Sequence, residues 1–223
     1  MSYIYPVNYI FDLIASNSGF YGFFANPGFG TTTLMMQIVD EINKRKNGTA
    51  IVLSLELSAD QWKKRMQELS LSTDRVVIFD NFNMTTGDIE DILRKATNVN
   101  VLCIDYITLL DGGKADDKEL SRIAEEYGIP IVVNGKLCRD SGDYDEELRP
   151  ELCSLPRNIN PRCYDFLALL HRKHKCERNV GTAHRYDIQS ETELIIKRNG
   201  HGNLGSAFME WEETQRKFNF NSN

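Results

Sequence analysis

The stretch Ala25-Asn26-Pro27-Gly28-Phe29-Gly30-Thr31-Thr32-Thr33 has the residue types of a phosphate-binding loop. It lies between an apolar run, Phe20 to Ala25, and a segment of helical periodicity, the context in which such a loop works. There, successive backbone N–H groups and a helix N-terminus point at phosphate oxygens. Gly28 and Gly30 let the backbone wrap closely, and Thr32 stands where a hydroxyl could ligate Mg²⁺. The strict pattern G-x-x-x-x-G-K-[ST] fails twice: Ala25 replaces the first glycine and Thr31 the lysine. The second departure removes the ammonium that bridges the β- and γ-phosphates, a loss worth roughly a hundredfold or more in rate. Taken alone, the loop reads equally well as an ordinary strand-to-helix turn.

The elements that must position this loop alternate along the chain. Apolar runs at Phe20–Ala25, Ala50–Leu55, Val76–Phe79, Val101–Asp105 and Ile129–Val133 read as buried strands. Between them fall helices at Thr31–Lys46, from Ser58 (a capping box with Gln61), from a Thr86 cap to about Ala96, and at Lys118–Tyr127. A further short helix is expected at Tyr9–Ala15. This alternation predicts an α/β fold with a mostly parallel sheet covered on both faces. After Asn134 the pattern changes. Residues 139 to 162 form a long polar stretch. Tyr164–Leu170, Glu193–Lys197 and Ser206–Trp211 then read as strands of a C-terminal antiparallel extension. No linker divides the chain, so residues 1–223 are expected to form a single domain.

Composition bounds the function. Hydrophobic residues at 41% and charged residues at 26% suit a soluble protein with a sizeable core. A net charge of -6 counts against a strongly basic, sequence-blind nucleic-acid binder. No apolar run is long enough to span a bilayer, and no basic region precedes the first apolar residues, so no membrane and a cytoplasmic location are expected. The 5 cysteines make no C-x-x-C and read as reduced thiols.

Several collinear segments resemble the motor domain of DnaB-type replicative helicases. Ser54-Leu55-Glu56-Leu57-Ser58-Ala59-Asp60-Gln61 is similar to a segment whose glutamate polarises the attacking water. Val101 to Leu110 resembles the Walker B strand, whose aspartate, here Asp105, holds Mg²⁺ through water. Ile129 to Val133 with Lys136-Leu137-Cys138-Arg139, then Arg149-Pro150, Ser154-Leu155-Pro156-Arg157 and Tyr164 to Leu167, follow the family's order. Glu193 to Gly200 resembles its closing motif, where an arginine, here Arg198, reaches a neighbouring subunit's nucleotide. The resemblance covers essentially the whole chain. It implies a RecA-like P-loop NTPase fold, ATP and Mg²⁺ as ligands, a homo-oligomeric (hexameric) ring, single-stranded DNA, and a helicase or other replication partner. It assigns nucleotide binding to Asn26, Pro27, Gly28, Phe29, Gly30, Thr31, Thr32 and Thr33, and Mg²⁺ to Thr32 and Asp105. Catalysis falls to Glu56, Lys136 and Arg198, and contact with nucleic acid to Arg139, Arg149 and Arg157.

The departures weigh against full activity. Thr31 replaces the lysine, Lys136 stands where the family has a γ-phosphate-sensing glutamine, and Ile196 replaces a second basic residue. The stretch Asp111–Glu119 is shorter than the family's DNA-facing loop, and the family's N-terminal primase-binding domain is expected to be absent. One hypothesis re-supplies the lost charge from Lys136; its alternative is drift of a released site. The bland readings are a helix-entry acid for Glu56, a turn residue for Asp105 and a hairpin residue for Arg198. His171 to Cys176, with His184 nearby, lacks the spacing of a zinc site. It reads as a basic strand end or a phosphate-contacting patch. The acids Asp140, Asp143, Asp145, Glu146 and Glu147 read as a solvated loop. Two functions follow: an impaired ATP-dependent helicase or translocase domain, or a non-catalytic nucleotide-binding or partner-binding RecA-like module. A circadian-clock or recombinase-type RecA relative shares the fold but accounts less well for the motifs.

Overall fold

The computed structural model describes residues 3–138, 149–172 and 189–220. Its strands are β1 (Tyr3–Tyr5), β2 (Gly19–Ala25), β3 (Thr49–Ser54), β4 (Val76–Phe79), β5 (Val99–Asp105), β6 (Pro130–Lys136), β7 (Phe166–His171), β8 (Gln189–Asn199), β9 (Gly205–Glu212) and β10 (Lys217–Asn219). The α-helices are α1 (Val7–Ser16), α2 (Thr31–Arg45), α3 (Ala59–Glu68), α4 (Thr86–Lys95) and α5 (Asp117–Tyr127). The described strands form a 10-stranded sheet in the order β1-β9-β8-β7-β2-β6-β5-β3-β4, with β10 added on β9.

Strand β2 lies inside the sheet, parallel to both β6 and β7, and every one of its residues is buried. That burial on both faces is why its sequence is apolar without alternation. Tyr21 and Phe23 enter one core with Leu34, Met35 and Trp62; Phe20 and Phe24 enter the other with Ile89, Leu120 and Tyr164. Each such side chain contributes about 1.5–3 kcal/mol by leaving water. Gly22 shares the second face, and a Cβ there would fall 2.6 Å from the Tyr164 ring. Glycine thus makes room for Tyr164 to stack on Phe20 with ring centroids 4.2 Å apart.

Two expectations change, and two strands are added. The strand at Phe166–His171 is parallel to β2, and the antiparallel part starts with β8, because the chain from 149 to 165 returns to the opposite end of the sheet. Thr85, not Thr86, caps α4: its hydroxyl accepts from the Asp88 N–H at 3.3 Å, while the Asp88 carboxylate accepts from the Thr85 N–H at 2.8 Å. The short edge strands β1 and β10 are too brief to show a period in the sequence. No helix among the described residues is long and apolar enough to cross a membrane.

Asp117 begins α5 and is buried. Its carboxylate accepts from the Tyr164 hydroxyl at 3.1 Å and the Asn160 N–H at 2.5 Å. Burial pushes its pKa up to about 6. The folded state therefore holds this proton more tightly than the unfolded chain, so the stability it contributes is present at low pH and is lost as pH rises from about 4 to about 6, by at most about 3 kcal/mol. Urea denaturation of Asp117→Asn, which cannot titrate, is expected to show a deficit against the parent at pH 4 that narrows towards pH 7. A pH-independent deficit would contradict this assignment.

Candidate functional site at the strand ends

Because β2, β3, β5 and β6 are parallel, their C-terminal ends meet at one edge, where ligands of open α/β sheets bind. Ala25 lies opposite Lys136, and Ser54 opposite Asp105. This register gathers the P-loop, Glu56, Asp105 and Lys136.

After Ala25 the loop turns through an Asn26 carbonyl that accepts from the Phe29 N–H at 3.1 Å. Asn26, Phe29, Thr31, Thr32 and Thr33 are buried, while Pro27 and Gly28 face solvent. Gly28 and Gly30 have φ of 78° and 97°, a region that favours glycine. A Cβ on Gly30 would also approach the rings of Trp211 and Phe218 to 3.0 Å. Gly30 is the N-cap of α2 and offers no side-chain cap, so the amides of the first turn are left for a ligand.

Asp105 is fully buried at the end of β5. Its Oδ1 accepts from Asn134 Nδ2 at 2.7 Å and Thr32 Oγ1 at 3.2 Å; its Oδ2 accepts from Trp62 Nε1 at 3.2 Å. Burial raises its pKa, and these three donors oppose that rise. The Tyr106 hydroxyl lies 2.8 Å from Thr32 Oγ1, and since Thr32 donates to Asp105, Tyr106 donates to Thr32. Burial, together with the neighbouring Asp105, holds Tyr106 above the usual phenol range.

Lys136 binds the Glu56 carboxylate at 2.9 Å, and its ammonium lies 4.6 Å above the Tyr106 ring. Burial alone would lower the Lys136 pKa; the bond and charge of Glu56 reverse that and raise it. A cavity of about 310 Å³ opens over the P-loop, walled by Arg65, Arg172, Arg216 and Glu213. Lys136 is not on its wall. A larger hollow of about 610 Å³, lined by Ile51, Val77, Phe79 and Met84, lies beside edge strand β4, away from this chemistry.

Other expected residues stand elsewhere. Arg198 pairs in register with Leu167 at the opposite end of the sheet and donates to the Tyr164 carbonyl. Arg149 is ion-paired with Glu193 at 2.5 Å, and Arg157 is exposed. Arg139, the acids from Asp140 to Glu147, and His174, Cys176 and His184 lie outside the described residues. Among the described residues no group of His, Cys, Asp and Glu could hold a metal ion by itself. The sequence does not single out Trp62, Tyr106, Asn134, Arg65 or Arg216. Trp62 and Arg65 follow the Ser58 cap by four and seven residues, a helical spacing that puts both on one face.

The chain matches the DnaB-like helicase C terminal domain family over residues 67–220. It is 22% identical over 240 residues to the replicative DNA helicase DnaC of Bacillus subtilis (strain 168), covering 87% of this chain and 50% of that protein. A replicative DNA helicase DnaB of Geobacillus stearothermophilus is likewise 22% identical over 236 residues, covering 87% and 50%. The chain thus spans about half the length of the curated relatives it matches. Among solved structures, an ATPase domain aligns with a TM-score of 0.69 at 18% identity, covering 90% of this chain and 84% of that one. A DnaB-like replicative helicase, solved in a study of its interactions with primase, aligns with a TM-score of 0.73 at 18% identity, covering 90% and 57%. These structures share its RecA-like fold: a mostly parallel sheet flanked by helices, with antiparallel strands at the C-terminal end.

Proposed function

This chain belongs to the DnaB-like helicase C-terminal domain family, and from that premise we propose that it is a nucleotide-binding, helicase-type ATPase domain whose hydrolytic step is impaired. The observation that carries this reading is the pairing of Lys136 with Glu56 at 2.9 Å, beside a P-loop that has Thr31 in place of its lysine. A carboxylate that polarises water must offer a lone pair to that water. Here the nearest donor is a cation on the protein itself, so water must compete with an ammonium.

The loop fits a polyphosphate: its glycines are left-handed, its helix start is uncapped, and a cavity lies above it. Thr32 Oγ1 and the Asp105 carboxylate, 3.2 Å apart, are hard oxygen donors of the kind Mg²⁺ takes. They would hold the ion, which when bound neutralises charge on the phosphates. Trp62 and Asn134 orient Asp105, and Tyr106 orients Thr32. In the same reading Arg198, remote from the chain's own P-loop, serves a neighbouring subunit of a ring, and single-stranded DNA meets Arg139, Arg149 and Arg157. For Arg149, a DNA phosphate competes with Glu193.

A second reading, a partner-binding module without turnover, is favoured by the same Glu56–Lys136 pair. Strand separation on a forked duplex, run beside phosphate release, tests both. The first reading expects ATP binding with slow release and little unwinding. Sustained unwinding at a rate ordinary for a helicase would overturn the impairment; absence of nucleotide binding would leave the partner-binding role.

A further inference from the structure

The cavity over the P-loop is walled by three arginines from three different elements and by one glutamate. Arg65 comes from α3, Arg172 follows β7, and Arg216 stands in the turn between β9 and β10. Arg65 donates to Thr33 Oγ1 at 3.2 Å, which puts a guanidinium beside the first turn of α2. Arg172 is buried; its guanidinium stacks 4.4 Å from the Trp211 ring and lies 3.7 Å from the Glu213 carboxylate. Arg216 is exposed at the tip of its turn, with φ of 53°. Trp211 and Phe218 pack against Gly30, so the strand pair that carries Arg216 is seated directly on the phosphate-binding loop. Gln37 of α2 fastens that seat: it accepts from the Phe218 N–H at 3.0 Å and donates to the Phe218 carbonyl at 2.7 Å.

Among the described residues that line the cavity, three guanidinium groups stand with one carboxylate, which pairs with Arg172. Lys136, by contrast, is engaged by Glu56. We infer that the charge missing at Thr31 is supplied by Arg65, Arg172 and Arg216, which together grip the di- or triphosphate of a nucleotide bound over the P-loop. The inference rests on the nucleotide-binding reading and specifies which side chains carry the phosphate. Guanidinium groups suit the task, because each presents parallel N–H donors to a phosphate and stays charged at every relevant pH. No bond is made or broken in this role; the arginines are binding residues.

Calorimetric titration of the full chain with inorganic pyrophosphate, and in parallel with Mg-ATP, tests it. Arg216→Gln and Arg65→Gln are each expected to weaken pyrophosphate binding about tenfold or more, the usual size of a charge-assisted phosphate contact. Lys63→Gln, an equal charge loss on the exposed face of α3, is expected to change it little. Glu213→Gln is expected to tighten binding, a gain that misfolding cannot imitate. The inference is overturned if both arginine variants bind pyrophosphate and ATP as the parent does, or if Lys136→Gln alone abolishes pyrophosphate binding. In either case ATP binding by the parent preserves the nucleotide reading. Absence of binding to both ligands by the parent would overturn that reading and the inference together.

Discussion

Combining Thr31→Lys with Lys136→Gln is expected to raise ATP turnover about a hundredfold above the parent chain, with each single change gaining far less. The two substitutions act on opposite halves of the site. Thr31 is the first residue of α2, next to the cavity over the P-loop, so a lysine there can extend its ammonium into about 310 Å³ of space. This restores a point charge between the transferring and leaving phosphates. Lys136→Gln releases Glu56 from its 2.9 Å partner and returns the position to the residue that helicases of this type carry. A bridging point charge without a free base, or a free base without that bridging charge, lacks one of two coupled parts, so the effects are not additive. Steady-state phosphate release from the parent, both singles and the double decides the matter. A double variant no faster than Thr31→Lys would mean that the ion pair does not restrain Glu56.

Asp105→Leu is expected to cost about 3 kcal/mol or more of stability. Leucine repeats the branching of the aspartate side chain with bulkier methyl groups and accepts no hydrogen bond. Three donors, Trp62 Nε1, Asn134 Nδ2 and the Thr32 hydroxyl, would lose their acceptor in a place closed to water. An orphaned buried donor costs about 1–3 kcal/mol. Relief from burying a carboxylate offsets part of that sum, which keeps the expected total below the simple addition. Asp105→Asn retains one oxygen acceptor and is expected to lose less. Urea midpoints rank the three proteins, and a leucine variant within about 1 kcal/mol of the parent would show that these donors find other partners.

The parts of the site that chemistry writes locally were legible. A strand, two glycines and a run of threonines mark a tight strand-to-helix turn, and the collinear segments downstream make it a candidate phosphate loop. Ser58 with Gln61 announces a helix start, and both of its reciprocal bonds are formed. Glu56 and Asp105 stand at the ends of apolar runs, and the parallel register brings those ends together. What the sequence withheld depends on strand order. Nothing near residue 166 tells whether β7 runs with or against β2, since both arrangements need the same apolar residues. For the same reason the arginine wall was only partly visible: Arg172 lies in the basic run His171 to Cys176, which reads as a strand end or a phosphate-contacting patch. Arg65, Arg172 and Arg216 are far apart along the chain, and Arg216 sits in an exposed turn that reads as ordinary solvated surface. Lys136, expected near the phosphates, is the last residue of β6 and lies opposite Ala25 at the start of the P-loop, but it does not line the cavity above that loop. Its pairing with Glu56 spans 80 residues of chain, a distance that periodicity cannot express.

The chain has 2 tryptophans, and both belong to this corner of the molecule. Trp62 is fully buried with its indole bonded to Asp105, and Trp211 lines the cavity wall under Arg172. All of the protein's indole emission therefore originates within one side chain of Asp105 or of Arg172. The two emitters differ in setting: Trp62 is held by a carboxylate in a dry core, Trp211 by a cation at the mouth of a hollow. A ligand that moves Arg172 alters quenching of one, and an ion that draws on Asp105 alters the hydrogen bond of the other. On the proposed reading, titration with Mg-ATP changes the emission of the native chain without any attached dye.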